Sequence, residues 1–296
     1  MIEGFPLIDA HIHAARLESL KPSWDQWVMA GAAFKPDHLY DDQGTIVPER
    51  FDEFLASEGV DIALVLAEYS PRVTGIQSVE DILPLVKHNP ERVRLIANVN
   101  PHVHHPAKDE LERQLQLGAV ALKVHPVHGG FPANARELYP VYGLCEDEGI
   151  AAVFHCGTSN FPGATNRFAD PIFIEDVAKD FPKLKIVLAH GGRGWWYDAA
   201  AFLALMRDNV WIELSGLPPK KLRHYYRNQN FERLAEKFIF GTDWPGCPGI
   251  QSNALAIADL GLTQAAIEKV FFRNAMLVYG LSADWENGIS DGSSSK

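Results

Sequence analysis

The sequence alternates short apolar runs with amphipathic segments along most of its length. The runs are rich in Val, Ile, Leu and Ala and lack a polar face, as is typical of strands covered on both sides. Eight of them begin at Leu7, Val60, Val93, Ala119, Ile150, Lys185, Val210 and Phe238. Strands that alternate with helices must be parallel and joined by crossovers. Eight such units in 296 residues predict an α/β fold, a (β/α)8 TIM barrel.

An open, doubly wound parallel sheet is the alternative architecture for this alternation. No Gly-x-Gly-x-x-Gly segment follows an early run, and the sequence therefore disfavours a dinucleotide-binding sheet of that kind. We predict a single barrel domain over residues 1–281, followed by a polar C-terminal tail over residues 282–296.

The first connection is longer than the others. The first two runs start at Leu7 and Val60, whereas later starts lie 25 to 35 residues apart. Residues 14–47 are therefore predicted to form an insertion that covers the carboxyl ends of the strands like a lid, where barrels of this kind carry their functional site. It carries aromatic and basic side chains suited to a planar or anionic ligand, namely Trp24, Trp27, Phe34, Lys35, His38 and Tyr40. The alternative is that the two tryptophans only anchor a helical insertion.

Composition narrows the partners of the chain. The formal net charge is −11, which argues against nucleic acid or a membrane surface as a partner because phosphate contacts need clustered Lys and Arg. No run approaches the roughly 18 apolar residues of a membrane span. The three cysteines are too scattered for a disulfide framework, and the N-terminus enters a strand without a signal-peptide pattern. We expect a cytoplasmic protein that acts on a small molecule.

Polar side chains recur where the predicted strands end. In a barrel of this kind, side chains at the carboxyl ends of the strands build the site. The candidates are His11 and His13 on the first strand, Lys123 and His125 on the fourth, His155 on the fifth, His190 on the sixth and Asp243 at the end of the eighth. His11 and His13 are two residues apart, so they share one face of their strand. Asn100, Glu213 and Ser215 also end strands and could contact ligand or orient an imidazole. The alternative is that they only fill a layer of the barrel interior.

Three imidazoles and one carboxylate form a ligand set that suits one divalent transition metal. We assign His11, His13, His155 and Asp243 as ligands, with an open position for water. Zn²⁺ is the first choice of ion, and Mn²⁺, Fe²⁺ and Co²⁺ are also accommodated. Such an ion lowers the pKa of its bound water from 15.7 to about 7. Asp243 would then move the proton of that water, and His190 would hydrogen-bond or protonate the reacting oxygen. The alternative for His190 is a fifth or structural imidazole without a chemical role.

Several other residues are predicted to bind substrate or support the site. Lys123 is either carboxylated and bridges two ions, or is an ammonium that orients a carboxylate substrate or pairs with Asp243. His125 is predicted to lie in the wall of the site. Arg193 could meet a substrate carboxylate, with Trp195 as an apolar wall and Trp24 contributed by the lid. The alternative for Arg193 is a solvated position at the start of a helix.

The combined motifs resemble the amidohydrolase superfamily. They are HIH in the first run, ALKVHP followed by HGGFPAN, then HCG, AHGG and FGTDWP, in order from about Leu7 to Leu281. The resemblance is to the branch that holds aminocarboxymuconate semialdehyde decarboxylase, γ-resorcylate decarboxylase and pyrone dicarboxylate lactonase. It implies one metal bound by His11, His13, His155 and Asp243, with His190 catalytic. Lys123 favours the hydrolases of this branch over its decarboxylases.

The predicted function is a metal-dependent hydrolase that cleaves a C–O or C–N bond of a small carboxylated or cyclic substrate, such as a lactone or an amide. The alternative is a metal-dependent, non-oxidative decarboxylase (a lyase) of an aromatic or muconate-like acid. A third hypothesis, which is not enzymatic, is that the barrel binds a ligand without catalysing a reaction. Barrels of this type often dimerise, and the chain is compatible with a homodimer.

Overall fold

Eight parallel strands form the centre of the protein, and this confirms the predicted TIM barrel. The computed structural model describes residues 1–2, 4–31 and 36–282. The strands follow one another around the sheet in chain order. They are β1 (Ile8–Ile12), β2 (Ile62–Leu66), β3 (Val93–Asn98), β4 (Ala119–Val124), β5 (Ala151–Gly157), β6 (Ile186–Arg193), β7 (Val210–Glu213) and β8 (Phe238–Ile239).

The barrel closes between β1 and the segment that follows β8. Three backbone hydrogen bonds cross this seam: Ala10 N donates to Phe240 O (3.0 Å), Asp243 N to His11 O (3.0 Å) and His13 N to Trp244 O (2.8 Å). Because β8 is only two residues long, these bonds beyond its end complete the ring. The backbone of three predicted ligands, His11, His13 and Asp243, therefore takes part in closing the barrel.

Helices follow the strands along the chain. They are α1 (Pro22–Gly31), α2 (Pro48–Ser57), α3 (Val79–His88), α4 (Ala107–Gln116), α5 (Pro126–Gly129), α6 (Tyr139–Glu148), α7 (Pro171–Asp180), α8 (Tyr197–Met206), α9 (Leu222–Tyr225), α10 (Phe231–Ala235), α11 (Ile250–Ala258), α12 (Gln264–Glu268) and α13 (Asn274–Tyr279). Ser78 begins α3 with a reciprocal capping box to Asp81. Among the described ranges, no helix is both long and apolar enough to cross a bilayer.

The connection after β7 differs from its sequence pattern. Residues 219–237 read as one amphipathic segment, but the structure divides them into α9 and α10. Tyr226 ends α9, is fully buried and donates a hydrogen bond to Gly191 O (2.8 Å). Asn230 then caps α10 by accepting from Arg233 N. The hydrogen bond of buried Tyr226 and the cap at Asn230 therefore stabilise two short helices in place of one continuous helix.

The long first connection contains α1 and a small apolar cluster of its own. Trp24 packs with Ala15 and Val28, and Trp27 and Phe161 lie against them, separately from the main core. His38 is exposed and Tyr40 is half-buried. Phe34, Lys35 and tail residues 283–296 lie outside the described residues. After β2, a short hairpin pairs Glu68–Ser70 with Gly75–Gln77.

Candidate metal centre and active site

A small cavity lies at the carboxyl ends of the strands. It offers about 40 Å³ of space to water-sized molecules, which is room for a few of them. Imidazoles, charged groups and aromatic rings line it, namely His11, His13, Trp24, Trp27, Glu68, Lys123, His125, His128, His155, Ser159, Phe161, His190, Arg193 and Asp243. Side chains from six barrel units thus converge on one enclosed space.

Three of the four predicted ligands present close donor atoms to one another. His11 Nε2 lies 3.2 Å from His13 Nε2. Asp243 Oδ1 lies 3.2 Å from His13 Nε2 and 3.5 Å from His11 Nε2. Tetrahedral ligands at bonds of roughly 2.0–2.1 Å stand about 3.3 Å apart. Acceptor atoms this close require a proton or a cation between them, and the spacing fits a metal ion.

The hydrogen bonds of His11 determine which of its nitrogens can bind an ion. Its Nδ1–H donates to Glu213 Oε1 at 2.6 Å, and Ser215 Oγ lies 3.1 Å from the same nitrogen. Nε2 is therefore unprotonated and faces His13 and Asp243. A carboxylate behind a ligating imidazole is a common support for metal sites, so Glu213 and Ser215 contact an imidazole as the sequence suggested.

His155 and His190 are adjacent, and their nitrogens have different partners. Their ring centroids are 4.4 Å apart. His155 Nε2 donates to Gly157 O (2.9 Å), which leaves Nδ1 as its free acceptor. His190 Nδ1 donates to Ser215 O (2.9 Å), which leaves Nε2. Of the described residues, one group of candidate ligand atoms within 4.8 Å of one another joins His190, rather than His155, to His11 and Asp243.

His190 and Asp243 are the described non-glycine residues with positive φ, at 68° and 66°. This left-handed conformation is uncommon for residues with a side chain and concentrates at functional sites. Glycines follow His190 for a steric reason as well. A Cβ on Gly191 would lie 2.1 Å from the Tyr226 hydroxyl, and one on Gly192 would lie 2.3 Å from Trp196 O. The close approach of Tyr226 and Trp196 explains the Gly-Gly sequence after His190.

Asp9 secures the loop that carries Asp243. Its carboxylate accepts from Thr242 N (3.0 Å), Thr242 Oγ1 (2.6 Å) and His11 N (3.1 Å). Burial raises the pKa of Asp9 to about 7, although the Thr242 bonds oppose this. Burial would also raise the pKa of Asp243, but the His13 hydrogen bond, His11 and Arg193 outweigh it and hold that pKa below its ordinary value. Asp243 is therefore a carboxylate at neutral pH.

Three imidazoles of the cavity, those of His11, His155 and His190, are biased toward their neutral form. Burial lowers the pKa of His11, although Glu213 opposes the shift. Burial places the pKa of His155 and of His190 well below the ordinary value, and nearby positive groups add to the effect. Neutral imidazole is the form that binds metals, so the electrostatics of the cavity favour ligation.

Two basic side chains, Lys123 and Arg193, also line the cavity. Lys123 is almost fully buried, with Nζ 3.5 Å from His11 Nε2. Burial lowers its pKa, whereas Glu213 and Asp243 act in the opposite direction. Arg193 Nη1 lies 3.7 Å from Asp243 Oδ2. Arg193 is therefore held beside the site rather than being free in solvent.

Aromatic residues on and near α1 cover the cavity. The Trp24 ring is 5.2 Å from His13, and the Trp27 ring is 4.8 Å from Trp24. A Cβ on Gly246 would lie 1.9 Å from Trp27 Cζ2, so Trp27 rests directly on the loop after β8. The position of Trp195 differs from expectation: it is 69% exposed, packs on Trp196 and does not line this cavity.

Four lining residues, Glu68, His128, Ser159 and Phe161, were not among the sequence candidates. His128 stacks on His125 at a centroid distance of 3.7 Å, and His125 stacks on His155 at 4.1 Å. Glu68 and Ser159 flank His128. Burial would raise the pKa of Glu68, but His125 and His128 hold it well below its ordinary value. Glu68 closely follows β2 and could have been found by the strand-end rule, whereas Ser159 lies in a loop.

Comparison with known proteins places this site in a family. The sequence matches the family described as Amidohydrolase over residues 8–281, and the chain therefore belongs to the amidohydrolase family. Among proteins of curated function, none matches the sequence.

Solved structures agree with this fold. An uncharacterised TIM-barrel protein of Bordetella bronchiseptica is 22% identical, with a TM-score of 0.75 over 93% of this chain and 99% of its own. A dihydroxybenzoic acid decarboxylase of Polaromonas sp. JS666, with bound manganese and 2-nitroresorcinol, is 16% identical (TM-score 0.66; 94% and 97%). A probable 2-pyrone-4,6-dicarboxylic acid hydrolase of Acinetobacter baumannii, with citric acid bound, is 15% identical (TM-score 0.63; 94% and 100%). The resemblance to amidohydrolases predicted from the motifs is confirmed by the family match, and these structures share its barrel fold.

Proposed function

We propose that the protein is a metal-dependent hydrolase that cleaves a C–O or C–N bond, of the lactone or amide type, in a small carboxylated or cyclic substrate. The observation that carries the proposal is the convergence of His11 Nε2, His13 Nε2 and Asp243 Oδ1 within 3.2 to 3.5 Å in a buried cavity. In the proposed assignment His155 is the fourth ligand. When bound, a divalent transition metal would polarise a carbonyl and lower the pKa of a coordinated water to about 7.

The space around these residues supports the assignment. A Cβ on Gly216 would lie 2.3 Å from Arg193 Nη1 and 2.9 Å from Asp243 Oδ2. Gly216 also has a φ of 63°, which favours glycine at this position and lets its backbone lie beside the Asp243 carboxylate. Zn²⁺ is the proposed ion because imidazole and carboxylate suit it, and manganese in the Polaromonas structure makes Mn²⁺ the second choice.

Asp243 and His190 would carry the proton transfers. Asp243 is ionised, and its oxygens lie beside both His13 and Arg193, so it can accept a proton from water and pass it to the leaving group. His190 is the neighbouring group that would hydrogen-bond the reacting oxygen. Ser215 O fixes the tautomer of His190 by accepting from Nδ1.

The cations and rings of the cavity suggest the substrate. Lys123 and Arg193 can pair with a substrate carboxylate, and the tryptophans of α1 can contact a planar ring. In this proposal α1 is part of a lid, because its tryptophans line the cavity and would move to admit and cover a substrate.

A decarboxylase is the second candidate, and two observations favour it. The rings of Trp24, Trp27 and Phe161 line the cavity and reduce the space for water, and decarboxylation needs no water as a reactant. The Polaromonas decarboxylase shares the fold over 94% of the chain. In this alternative, Asp243 or His190 would deliver the proton to carbon, with the same residues holding the ion.

The test combines metal analysis with product analysis. Protein purified without chelator is expected to hold about one transition ion per chain. It would then be incubated in H₂¹⁸O with a panel of lactones, amides and hydroxybenzoates. Incorporation of ¹⁸O into a ring-opened or cleaved product supports the hydrolase. Release of CO₂ without ¹⁸O in the organic product would instead support the decarboxylase.

A cytoplasmic location and a homodimer also remain proposals, to be tested by fractionation and ultracentrifugation.

A further inference from the structure

A second arrangement of reactive side chains lines the same cavity, apart from the proposed metal ligands. It consists of Glu68 after β2, His128 in α5 and Ser159 in the loop after β5. All three are at least nine-tenths buried. We propose that Ser159 is a nucleophile activated by His128 and Glu68, and that it accepts acyl or sulfonyl groups independently of any metal.

Two hydrogen bonds define the direction of proton transfer. His128 Nδ1 lies 3.0 Å from Glu68 Oε1, and Ser159 Oγ lies 2.8 Å from His128 Nε2. A carboxylate can only accept, so Nδ1 of His128 carries the proton and Nε2 is the free acceptor. The Ser159 hydroxyl therefore donates to Nε2. A hydroxyl, a base and an orienting carboxylate in this order at these distances define an activated serine.

Each member of the relay is held by further contacts. Thr74 Oγ1 donates to Glu68 Oε1 at 2.7 Å. His125 stacks on the His128 ring with an interplanar angle of 14°. Ser159 is fixed through its backbone, because its N–H donates to Asn166 Oδ1 and its carbonyl accepts from Asn166 Nδ2. The hydroxyl is thus positioned for reaction.

The reaction balances without a further reagent. Ser159 Oγ attacks the carbonyl carbon of an ester or lactone, and its proton moves to His128 Nε2. The C–O bond to the leaving group breaks, and His128 returns the proton to the departing oxygen. Water then hydrolyses the acyl-serine, with His128 again taking and returning a proton. Esters and lactones of few atoms are the expected substrate class, given the size of the cavity.

The test uses the full chain after removal of metal with a chelator, so that it does not depend on the proposed function. The probe is methanesulfonyl fluoride, a small reagent from which serine displaces fluoride. Mass spectrometry is expected to find one adduct, on Ser159, that is absent from Ser159→Ala. His128→Asn and Glu68→Gln are expected to slow labelling by about 10²-fold or more, because both leave the hydroxyl without a correctly oriented base. Ser23→Ala, a change at a half-buried serine of a neighbouring cavity, is the matched control and should label normally.

Access to the cavity is controlled with Trp27→Ala, which removes one wall. Absence of a Ser159 adduct in both this variant and the parent chain would overturn the proposal. It would also be overturned if Glu68→Gln and His128→Asn labelled at the parental rate. Glu68, His125 and His128 could instead hold a cation. Two ions per chain in the parent and one in Glu68→Gln would establish that alternative and refute the nucleophile.

Discussion

At His11, one hydrogen bond decides which ring nitrogen is available for an ion. Glu213 accepts from Nδ1 at 2.6 Å and leaves Nε2 toward the cavity. Similar tautomer control exists at His190, where Ser215 O accepts from Nδ1, and at His155, where Gly157 O accepts from Nε2. The chemistry available to each imidazole is therefore set by the acceptor that its other ring nitrogen contacts, a side chain at His11 and a backbone carbonyl at His155 and His190.

His155 and His190 are proposed to have different roles, metal ligand and catalytic group, and substitution of each residue tests this. His155→Asn is expected to weaken metal affinity by more than the 10- to 100-fold typical of an outer hydrogen-bond partner. His190→Asn should retain the metal and reduce turnover by about 10² to 10⁴. Asparagine tolerates the left-handed conformation at position 190, so the backbone should persist. Metal content by mass spectrometry and turnover are measured for both.

The matched control is His224→Asn, at an exposed histidine of α9. It should change neither metal content nor turnover. Loss of metal from His190→Asn with retention in His155→Asn would reverse the two assignments, in agreement with the close group of His11, His190 and Asp243.

Part of this site was predictable from single residues, and part was not. The strand-end rule identified His11, His13 and Asp243 because the barrel fixes where parallel strands end. It also led to Glu213 and Ser215 as candidate supports. His128 and Ser159 escaped it because they lie in α5 and in the loop after β5, whose paths depend on tertiary contacts. The outward position of Trp195 was missed for the same reason.

At the scale of elements, the strands of this barrel were predictable from the sequence, whereas several of its connections were not. The alternation of apolar runs and amphipathic segments predicted all eight strands, because burial on both faces leaves a clear pattern. It did not predict α11, nor the division of residues 264–279 by a π-helical turn at Lys269–Arg273. Such changes depend on local hydrogen bonding that periodicity alone does not encode.

The element with the clearest testable role is α1. Trp24 and Trp27 lie 5.2 and 6.4 Å from the ring of His13, so they stand between that side chain and solvent. Trp27→Ala is expected to shorten the half-time of metal loss to an added chelator by about tenfold or more, because one wall of the cavity is removed. The release is followed with a chromogenic chelator.

Trp195→Ala serves as the matched control, since Trp195 is 69% exposed and lies away from the cavity. Its rate of metal loss should equal that of the parent chain. An unchanged rate in Trp27→Ala would mean that the ion leaves by another route and that α1 is not the lid.

For the whole molecule, the proposed centre coincides with the seam of the barrel. His11 and His13 belong to β1, whereas Asp243 follows β8, and backbone bonds between these segments close the ring. A bound ion would link both sides of the seam. Ligand binding at 100 times its Kd stabilises the bound form by about 2.7 kcal/mol.

We therefore expect chelation to accelerate hydrogen exchange at the amides of Ala10, His13 and Asp243 by up to about 100-fold when the ion was present at 100 times its Kd. Amides of β3, at Val93–Asn98, should be unaffected and serve as the internal control. Equal acceleration throughout the barrel would indicate that the ion stabilises the fold globally instead.

The positive φ angles of His190 and Asp243 also have an evolutionary consequence. Glycine would relieve both backbones, so replacing either residue with glycine should cost less stability than an ordinary loss of buried side-chain contacts, and could even increase heat resistance. Selection for thermal tolerance alone would then favour variants that have lost His190 or Asp243 and are inactive. Only a screen that demands turnover at every round would keep these two strained positions intact.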